Sequence, residues 1–449
     1  MNAVLIAVVV MLVLALLRVH VVISLFLGAL VGGLLSGLGI DQTMIAFEDG
    51  LAGGAKIALS YALLGAFAMA VSSSGLPQLL ADWIMDKVGV TSEETRSRAA
   101  SLAKWLMLAG ILAMSVMSQN LIPVHIAFIP LIIPPLLAVM NKLRIDRRLV
   151  ACVITFGLVT TYMWIPLGFG SIFLNDILLG NIQQAGMDTE GINVLHVMAI
   201  PALGMVAGLL IAVFVSYRKP RDYQTIDIAA GVETQSVSRY KVIVSIIAII
   251  ATFGVQVWMQ AIGTEADSLL IGALVGLAIF MGTGAVHWKA ADDVFSQGMR
   301  MMALIGFIMI TAQGFASVMK ATGEVESLVT ASANLVGDSK GLAAFAMLLV
   351  GLVVTMGIGS SFSTLPIIAT IYVPLCATLG FSPAATVAIV GAAGALGDAG
   401  SPASDSTLGP TAGLDADGQH DHIRDTVIPT FLHFNLPLLA SGWIAAMVL

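Results

Sequence analysis

The chain reads Thr355-Met-Gly-Ile-Gly-Ser-Ser-Phe-Ser-Thr-Leu-Pro366 in the middle of a long apolar run. Two glycines, five hydroxyl-bearing residues and a proline make a continuous helix unfavourable here. Lipid cannot satisfy the backbone groups freed at such an interruption, so the segment must line a cavity or meet a ligand. We therefore predict that it binds a solute through Ser360, Ser361, Ser363 and Thr364. The alternative is that these hydroxyls bond back to helical carbonyls and only kink the span.

A similar interruption occurs in the first half of the chain. Ser118, Gln119 and Asn120 are three consecutive polar residues that precede Pro123, and His125 follows closely. We predict that the three polar side chains also bind the solute. His125 is a further candidate for contacting the solute or a proton, although a lone histidine at such a site is also typical of a structural hydrogen bond.

Composition identifies the solvent around these segments. The 449 residues are 58% hydrophobic and only 10% charged, whereas soluble domains carry about 25% charged residues. The apolar runs are continuous and do not alternate with polar residues, which predicts helices and excludes a β-barrel. We expect an all-α polytopic membrane protein with about 12 to 14 transmembrane helices or re-entrant hairpins in a bacterial inner membrane, with discontinuous helices.

The two halves resemble each other when the chain is shifted by about 236 residues. The shift superposes Lys104 on Lys340, Pro130 on Pro366 and Pro166 on Pro402. The loop that ends at Lys104 is basic and hence cytoplasmic, whereas its counterpart before Lys340 is acidic. The halves are therefore predicted to be inverted repeats, an arrangement that characterises secondary transporters.

Charge also predicts the division of the chain. We expect N-terminal helices in 1–56, a first inverted repeat in 57–216, a cytoplasmic linker in 217–240, connecting helices in 241–297 and a second inverted repeat in 298–449. One external loop is expected to carry Asp41, Glu48 and Asp49.

The segment Gly394–Pro410 carries Asp398 and Asp405 amid small and hydroxylated residues. No Lys or Arg occurs between Gly341 and Ile423, and a buried carboxylate without a partner should be neutralised or bind a cation. Oxygen ligands suit Na⁺, and a carboxylate can equally take a proton. The predicted ion-coupling residues are Asp398, Ser401, Ser404, Asp405, Ser406 and Thr407, with Asp398 and Asp405 as possible Na⁺ ligands. Alternatively, Asp398 pairs with a distant basic residue, or Asp405 caps a loop.

Two further groups of polar residues occur in the second half of the chain. His433 and Asn435 lie in the last apolar run and are predicted to face the same cavity, unless they form structural hydrogen bonds. A loop rich in acids and histidines follows the Asp405 segment and contains Asp415, Asp417, His420, Asp421 and His422. Such a loop is typical of solvated residues, so we expect no metal site there.

Several classes of function are disfavoured. The net charge of −7 is spread over loops of both signs, which indicates no nucleic-acid partner. The sequence contains no phosphate-binding G-x-x-x-x-G-K-[ST], no G-x-S-x-G and no H-E-x-x-H. We therefore expect neither an ATP-driven pump nor an enzyme, and no cofactor beyond Na⁺ or H⁺.

Gly397–Pro410 and Gly418–His433 resemble the corresponding motifs of the NhaC-like Na⁺/H⁺ antiporter family, and most closely its amino-acid and histidine permease branch. The resemblance implies inverted repeats, part-way hairpins, cation-coupled exchange and often a homodimer. We thus expect a secondary transporter that moves a small organic solute, an amino acid, with Na⁺ or H⁺. The alternatives are Na⁺/H⁺ antiport without organic cargo and, from another class, a channel or a membrane scaffold.

Overall fold

The computed structural model of this chain describes residues 2–17, 19–76, 79, 93–120, 128–167, 169–224, 238–264, 266–324, 327 and 339–449. Within these ranges the regular secondary structure is helical, and no strand occurs. The predicted all-α fold class is therefore confirmed.

The α-helices are numbered in chain order. They are α1 (Ala3–Leu16), α2 (Val21–Leu35), α3 (Gly39–Ser73), α4 (Glu93–Asn120), α5 (Phe128–Lys142), α6 (Arg147–Tyr162), α7 (Phe169–Ser171), α8 (Gly180–Gln184), α9 (Val194–Val197), α10 (Ala199–Ile211), α11 (Arg239–Ala261), α12 (Ser268–Gly282), α13 (Ala291–Ala321), α14 (Lys340–Ile358), α15 (Ser361–Thr378), α16 (Pro383–Ala395), α17 (Asp405–Leu414), α18 (Ile428–Thr430) and α19 (Leu436–Val448). A π-helical segment, Ile172–Leu179, joins α7 to α8.

These helices suit a lipid environment. Among the described residues, seven helical segments are long and apolar enough to cross a membrane, and five apolar helices are shorter. Large apolar side chains such as Ile250 and Phe214 are exposed on the outer surface, where lipid would cover them. The chain is therefore a multi-pass membrane protein.

The longest described helices, α3 and α13, pack antiparallel through small residues. Gly50 approaches Gly314, and Gly65 approaches Gly298. A Cβ atom on Gly65 would lie 2.5 Å from the carbonyl oxygen of Gly298, so only glycine allows this approach. The two helices begin the two predicted repeats, and their opposite directions agree with the predicted inversion, which itself stays a prediction.

The start of α3 corrects one expectation. Asp41, Glu48 and Asp49 lie inside this helix and not in an external loop. Glu48 and Asp49 are exposed whereas Phe47 is buried, so the helix accommodates its charges on one face. The predicted boundaries at 57 and 298 lie inside α3 and α13.

The element order is the same in the two halves. The first half runs α4, α5, α6, an interruption and then α7, and the second runs α14, α15, α16, an interruption and then α17. The halves also exchange contacts, since α15 packs against α8 while α17 packs against α5. The ends of the interrupted helices are thereby brought together.

Glycines define the interruptions in the second half. Gly359 separates α14 from α15 with a φ of 73°, and Gly397 follows α16 with a φ of 93°, a region that favours glycine. In the first half, residues 163–168 separate α6 from α7. The predicted interruption between Thr355 and Pro366 is confirmed at Gly359, although Pro366 lies within α15 and not at the break. Residues 121–127 lie outside the described residues.

Candidate functional site

A cavity of about 270 Å³ lies where the interrupted helices meet. It is bordered by residues next to the three described interruptions and by the end of α4, from both halves of the chain: Gln119, Tyr162, Phe169, Ser361, Asp398 and Asp405. Gln119 borders it from the end of α4, beside residues 121–127. The geometry thus joins segments that are more than 200 residues apart in sequence into one site.

Asp398 is held by hydroxyl groups at the edge of this cavity. Its side chain is only 7% exposed, and its Oδ2 accepts a hydrogen bond from the hydroxyl of Tyr162 at 2.5 Å. Its Oδ1 accepts a short hydrogen bond from Ser404 Oγ. The Tyr162 oxygen also lies 2.9 Å from Ser361 Oγ. Among the described residues no Lys or Arg pairs with Asp398, so its partners are oxygen atoms that a cation could also use.

Asp405 is the second carboxylate of the cavity. It is the first residue of α17, where the helix dipole favours an anion. Ser404, and not Asp405, caps the helix, since Ser404 Oγ accepts the N–H of Ser406 at 3.1 Å. The Asp405 side chain forms no hydrogen bond or ion pair with the part of the chain that the structure describes. It is therefore available to a ligand.

Three predicted ion-coupling residues, Ser401, Ser404 and Thr407, support the loop and do not border the cavity. Ser401 Oγ donates to the carbonyl oxygen of Met356 at 3.2 Å, and Thr407 Oγ1 donates to the carbonyl oxygen of Ser401 at 2.5 Å. Ser406 does border the cavity, and its role in ion coupling stays a prediction. The loop around Asp398 is thus fixed by one hydroxyl that reaches the backbone of α14 and by another that reaches the backbone of the loop itself.

Asparagine side chains satisfy the backbone at two interruptions. Asn120 Nδ2 donates to the carbonyl oxygens of Ile165 and Leu167, at 3.1 and 3.0 Å. In the second half, Asn435 Oδ1 accepts the N–H of Gly397 at 3.0 Å. Both amides are predicted to contact solute. In the structure they instead form hydrogen bonds with backbone groups at the helix interruptions, which lipid could not provide.

Three further predicted solute ligands form hydrogen bonds within the protein and do not border the cavity. The hydroxyls of Ser118 and Thr364 donate to carbonyl oxygens three and four residues earlier, at 2.8 and 2.9 Å. The ring of His433 contacts Ser216 Oγ at 2.8 Å and the carbonyl oxygen of Pro429 at 2.7 Å. These arrangements correspond to the structural alternatives considered above.

The remaining predicted solute ligands divide into two groups. Gln119, Ser360 and Ser361 border the cavity. His125 lies outside the described residues, and Ser363 lies in α15 with its side chain outside the described part.

Sequence reasoning missed several cavity residues. Tyr162 ends α6 directly before an interruption, a position that could have signalled it. Phe169 and Phe362, whose ring centroids are 4.5 Å apart, form an aromatic wall. Lys320, near the end of α13, also borders the cavity. Another helix therefore brings a basic residue to the border of the cavity, although this residue forms no ion pair with Asp398 within the described residues.

The sequence predicts that the acidic and histidine-rich loop after α17 is solvated, but the structure buries several of its side chains. Asp417 pairs with Arg147 at 2.5 Å, and neither side chain is more than 1% exposed. His420 and His422 are also buried, with Nε2 of His420 2.6 Å from Thr426 Oγ1. The prediction failed because charge counting cannot show that Arg147, more than 250 residues away, packs into this loop.

Comparison with known proteins places the chain in a family. A family model described as "Na+/H+ antiporter family" matches residues 153–443, and one described as "Na+-H+ antiporter family" matches residues 2–88. The first match covers more than half of the chain.

Full-length relatives and one solved structure are similar to the chain. An uncharacterized membrane protein of Vibrio parahaemolyticus, VP2115, is 55% identical over 100% of both chains, and the putative amino acid transporter YuiF of Bacillus subtilis is 52% identical over 100% of both. The Alcanivorax borkumensis YdaH transporter has a TM-score of 0.41 and 13% identity, covering 92% of this chain and 89% of that one. The chain belongs to the Na⁺/H⁺ antiporter family, whose members are membrane transporters and not enzymes.

Proposed function

We propose that this transporter is a secondary active carrier that couples the movement of a small organic solute, an amino acid, to Na⁺ or H⁺. The family supports transport, and the name of the Bacillus subtilis relative, a putative amino acid transporter, supports this cargo. The single observation that carries the proposal is the cavity in which Asp398 and Asp405 meet the ends of interrupted helices from both halves.

Asp398 is the proposed coupling carboxylate. The oxygens of Tyr162 and Ser404 already lie within hydrogen-bond distance of it, so Na⁺ could be held by carboxylate and hydroxyl oxygens together. Asp405 and Ser406 are further proposed ligands because they border the same space. A proton would occupy the same Asp398 oxygens, so the two ions would compete for one site. Ser401 and Thr407 hold the loop in this proposal.

The solute is proposed to bind beside the ion, at Gln119, Ser360 and Ser361. Ser361 is within reach of Tyr162, which in turn contacts Asp398, so ion and solute share a hydrogen-bonded network. Binding of ion and solute together must favour a conformation that can move, and binding of only one of them must not. A ligand with equal affinity for two conformations does not change their populations. The shared network supplies this coupling.

Na⁺/H⁺ antiport without organic cargo is the second candidate, and the family description favours it. In that case Asp398 and Asp405 take Na⁺ and protons alternately, and the hydroxyl groups serve only as Na⁺ ligands. The two candidates differ in whether an organic solute accumulates when a Na⁺ gradient is applied.

Flux into proteoliposomes tests the proposal. Purified protein is reconstituted, and uptake of a labelled amino-acid mixture is followed under a Na⁺ or pH gradient, with an internal dye reporting pH. We expect saturable, gradient-driven uptake that Asp398→Asn abolishes and the exposed control Asp222→Asn leaves unchanged. Na⁺-driven pH change without solute uptake would support pure antiport, and non-saturating current would support a channel. Undiminished coupled uptake in Asp398→Asn would remove Asp398 from the mechanism.

A further inference from the structure

Lys320 brings a positive charge into the cavity. It lies in the last turn of α13 and borders the same space as Asp398 and Asp405. Within the described ranges, Lys320 forms neither an ion pair nor a side-chain hydrogen bond, whereas Lys340 donates a hydrogen bond to the carbonyl oxygen of Gly380. The Lys320 ammonium group is thus available to a ligand in the cavity.

The charges of the cavity constrain what it can carry. Its described lining holds two carboxylates and one ammonium group, an excess of one negative charge when all are ionised. One bound Na⁺ or one proton neutralises this excess. A cargo without net charge then leaves the loaded site neutral, whereas an anionic or cationic cargo would leave a charge to be moved through a medium of low dielectric constant, which is costly.

The N-terminus of α15 adds to the positive side of the cavity. Ser360, which caps this 18-residue helix, makes no capping hydrogen bond with its side chain, and it borders the cavity together with Ser361 and Phe362. The first N–H groups of a helix lack intrahelical acceptors and favour an anion. Lys320 and this helix end therefore provide two independent features that suit a carboxylate.

The other residues that line the cavity suit the ammonium group and an apolar side chain of an amino acid. Asp405 has no side-chain partner among the described residues and can accept an ammonium group, while the stacked rings of Phe169 and Phe362 and the side chain of Ile358 present apolar surface. A cavity of about 270 Å³ lies below the range of roughly 300–1,000 Å³ for drug-sized ligands. It therefore suits a single amino acid better than a peptide.

We propose that Lys320 holds the carboxylate of the cargo and thereby selects zwitterionic amino acids with an apolar or aromatic side chain over amines and simple carboxylic acids. This inference rests on the proposed function and adds to it the class of substrate. The ammonium group of the cargo faces Asp405, and the coupling cation occupies Asp398.

Binding of matched compounds tests the assignment on the purified full-length protein. The melting temperature is measured with and without Na⁺ in the presence of L-leucine, isoamylamine or 4-methylpentanoate, and of L-phenylalanine, phenethylamine or 3-phenylpropanoate. A ligand that binds the folded state raises the apparent stability. We expect at least one zwitterion to stabilise the wild type, with its amine and its acid at least tenfold weaker.

Variants of Lys320 then distinguish a role in ligand recognition from a purely structural role. Lys320→Gln should weaken binding of the zwitterion at least tenfold and retain the stabilisation caused by Na⁺, while Lys320→Arg should retain binding and Lys340→Gln should match the wild type. A purely structural role at the end of α13, where a cation complements the helix dipole, would instead lower the melting temperature without changing ligand preference.

Each contrary result has a distinct meaning. The inference is overturned if Lys320→Gln binds the zwitterion normally, if it loses the Na⁺ shift as well, or if the amine or the acid binds as tightly as the zwitterion. A wild type that responds to Na⁺ but to none of the zwitterions overturns the inference and leaves cation transport intact. A wild type that transports neither cations nor solutes in proteoliposomes contradicts the proposed function itself.

Discussion

The hydroxyl of Tyr162 donates a hydrogen bond to Oδ2 of Asp398, and the two residues are 236 positions apart in the chain. The same separation superposes Pro166 on Pro402 in the predicted repeat. Positions related by a two-fold axis can touch each other only close to that axis. If the halves are inverted repeats, this hydrogen bond therefore places Asp398 beside the axis that relates them.

Replacing Tyr162 by phenylalanine removes this contact while keeping the ring. Hydrogen bonds to charged groups contribute about 1.5–3 kcal/mol, which corresponds to roughly a 10–100-fold change in affinity. We expect Tyr162→Phe to raise the half-saturating Na⁺ concentration by that factor in a titration of the melting temperature. The lost hydroxyl both orients the carboxylate and offers an oxygen to the ion.

A second buried tyrosine provides the control. Tyr372 is fully buried, and its hydroxyl donates to the carbonyl oxygen of Met347 at 2.6 Å, outside the cavity lining. Tyr372→Phe should lower stability without changing the Na⁺ titration. Equal Na⁺ titration curves for Tyr162→Phe and the wild type would argue that the hydroxyl has no part in ion binding.

The sequence predicts the interruptions well because their causes are local. Glycine favours a helix end because it adopts a positive φ, and Gly359 does cap the end of α14, whereas Pro366 and most of the clustered hydroxyl residues lie inside α15. An acid between small residues likewise points to Asp398 without any tertiary information. These features depend on neighbours in the chain, so composition and pattern are sufficient to find them.

The partners of these segments are not local and could not be predicted. Nothing near Lys320 indicates that the end of α13 meets the cavity, and nothing near Asn120 indicates that its amide reaches the carbonyl oxygens of Ile165 and Leu167. Both contacts depend on packing between helices that are distant in sequence. Spacing along one segment therefore identifies a site but not the groups that other helices bring to it.

Asn120 should be essential for the first interruption. Asn120→Ala would remove one donor each from the carbonyl oxygens of Ile165 and Leu167, which keep the backbone N–H groups of Leu167 and Gly170, and each lost hydrogen bond costs about 0.5–1.5 kcal/mol. We expect a lower melting temperature in detergent and reduced uptake. Asn175→Ala is the control, because this exposed amide contacts only Ser171 Oγ on its own turn. Equal melting temperatures for Asn120→Ala and Asn175→Ala would contradict the assignment.

The buried pair of Arg147 and Asp417 should hold the loop after α17 in place. Arg147 also donates to the carbonyl oxygen of Leu414 at 2.9 Å, and removing one partner of such a pair costs about 3–5 kcal/mol because the other charge stays buried. We expect Asp417→Asn and Arg147→Met to lower the melting temperature strongly, and the double variant Arg147→Met/Asp417→Leu to recover part of the loss.

An exposed pair gives the comparison for that prediction. Arg144 and Asp222 lie 2.6 Å apart, but their side chains are 55% and 73% exposed. Arg144→Met should change the melting temperature little, since solvent screens such a pair. A similar loss in Arg144→Met and Arg147→Met would mean that burial of the Arg147 pair is not what stabilises the loop.

His420 should make the stability of the protein depend on pH. Burial lowers the pKa of His420 to about 3 from an ordinary value of 6.5, because the charged ring would lose its hydration. Between these values the unfolded chain binds a proton that the folded protein rejects. The contribution of His420 is therefore complete above pH 6.5 and is lost as the pH falls towards 3.

Asp415, close to His420 in the chain, changes the stability with pH in the opposite direction, so its effect must be separated from that of His420. Burial raises the pKa of Asp415 to about 6, so its protonation stabilises the fold at low pH, and this contribution is lost as the pH rises through 6. Melting temperatures from pH 7.5 to 4 should therefore be compared between the wild type and His420→Gln, both of which retain Asp415. We expect a smaller decline in the variant, and the same decline as the wild type in the exposed control His196→Gln. Parallel pH profiles for His420→Gln and the wild type would show that the buried ring does not set the acid sensitivity.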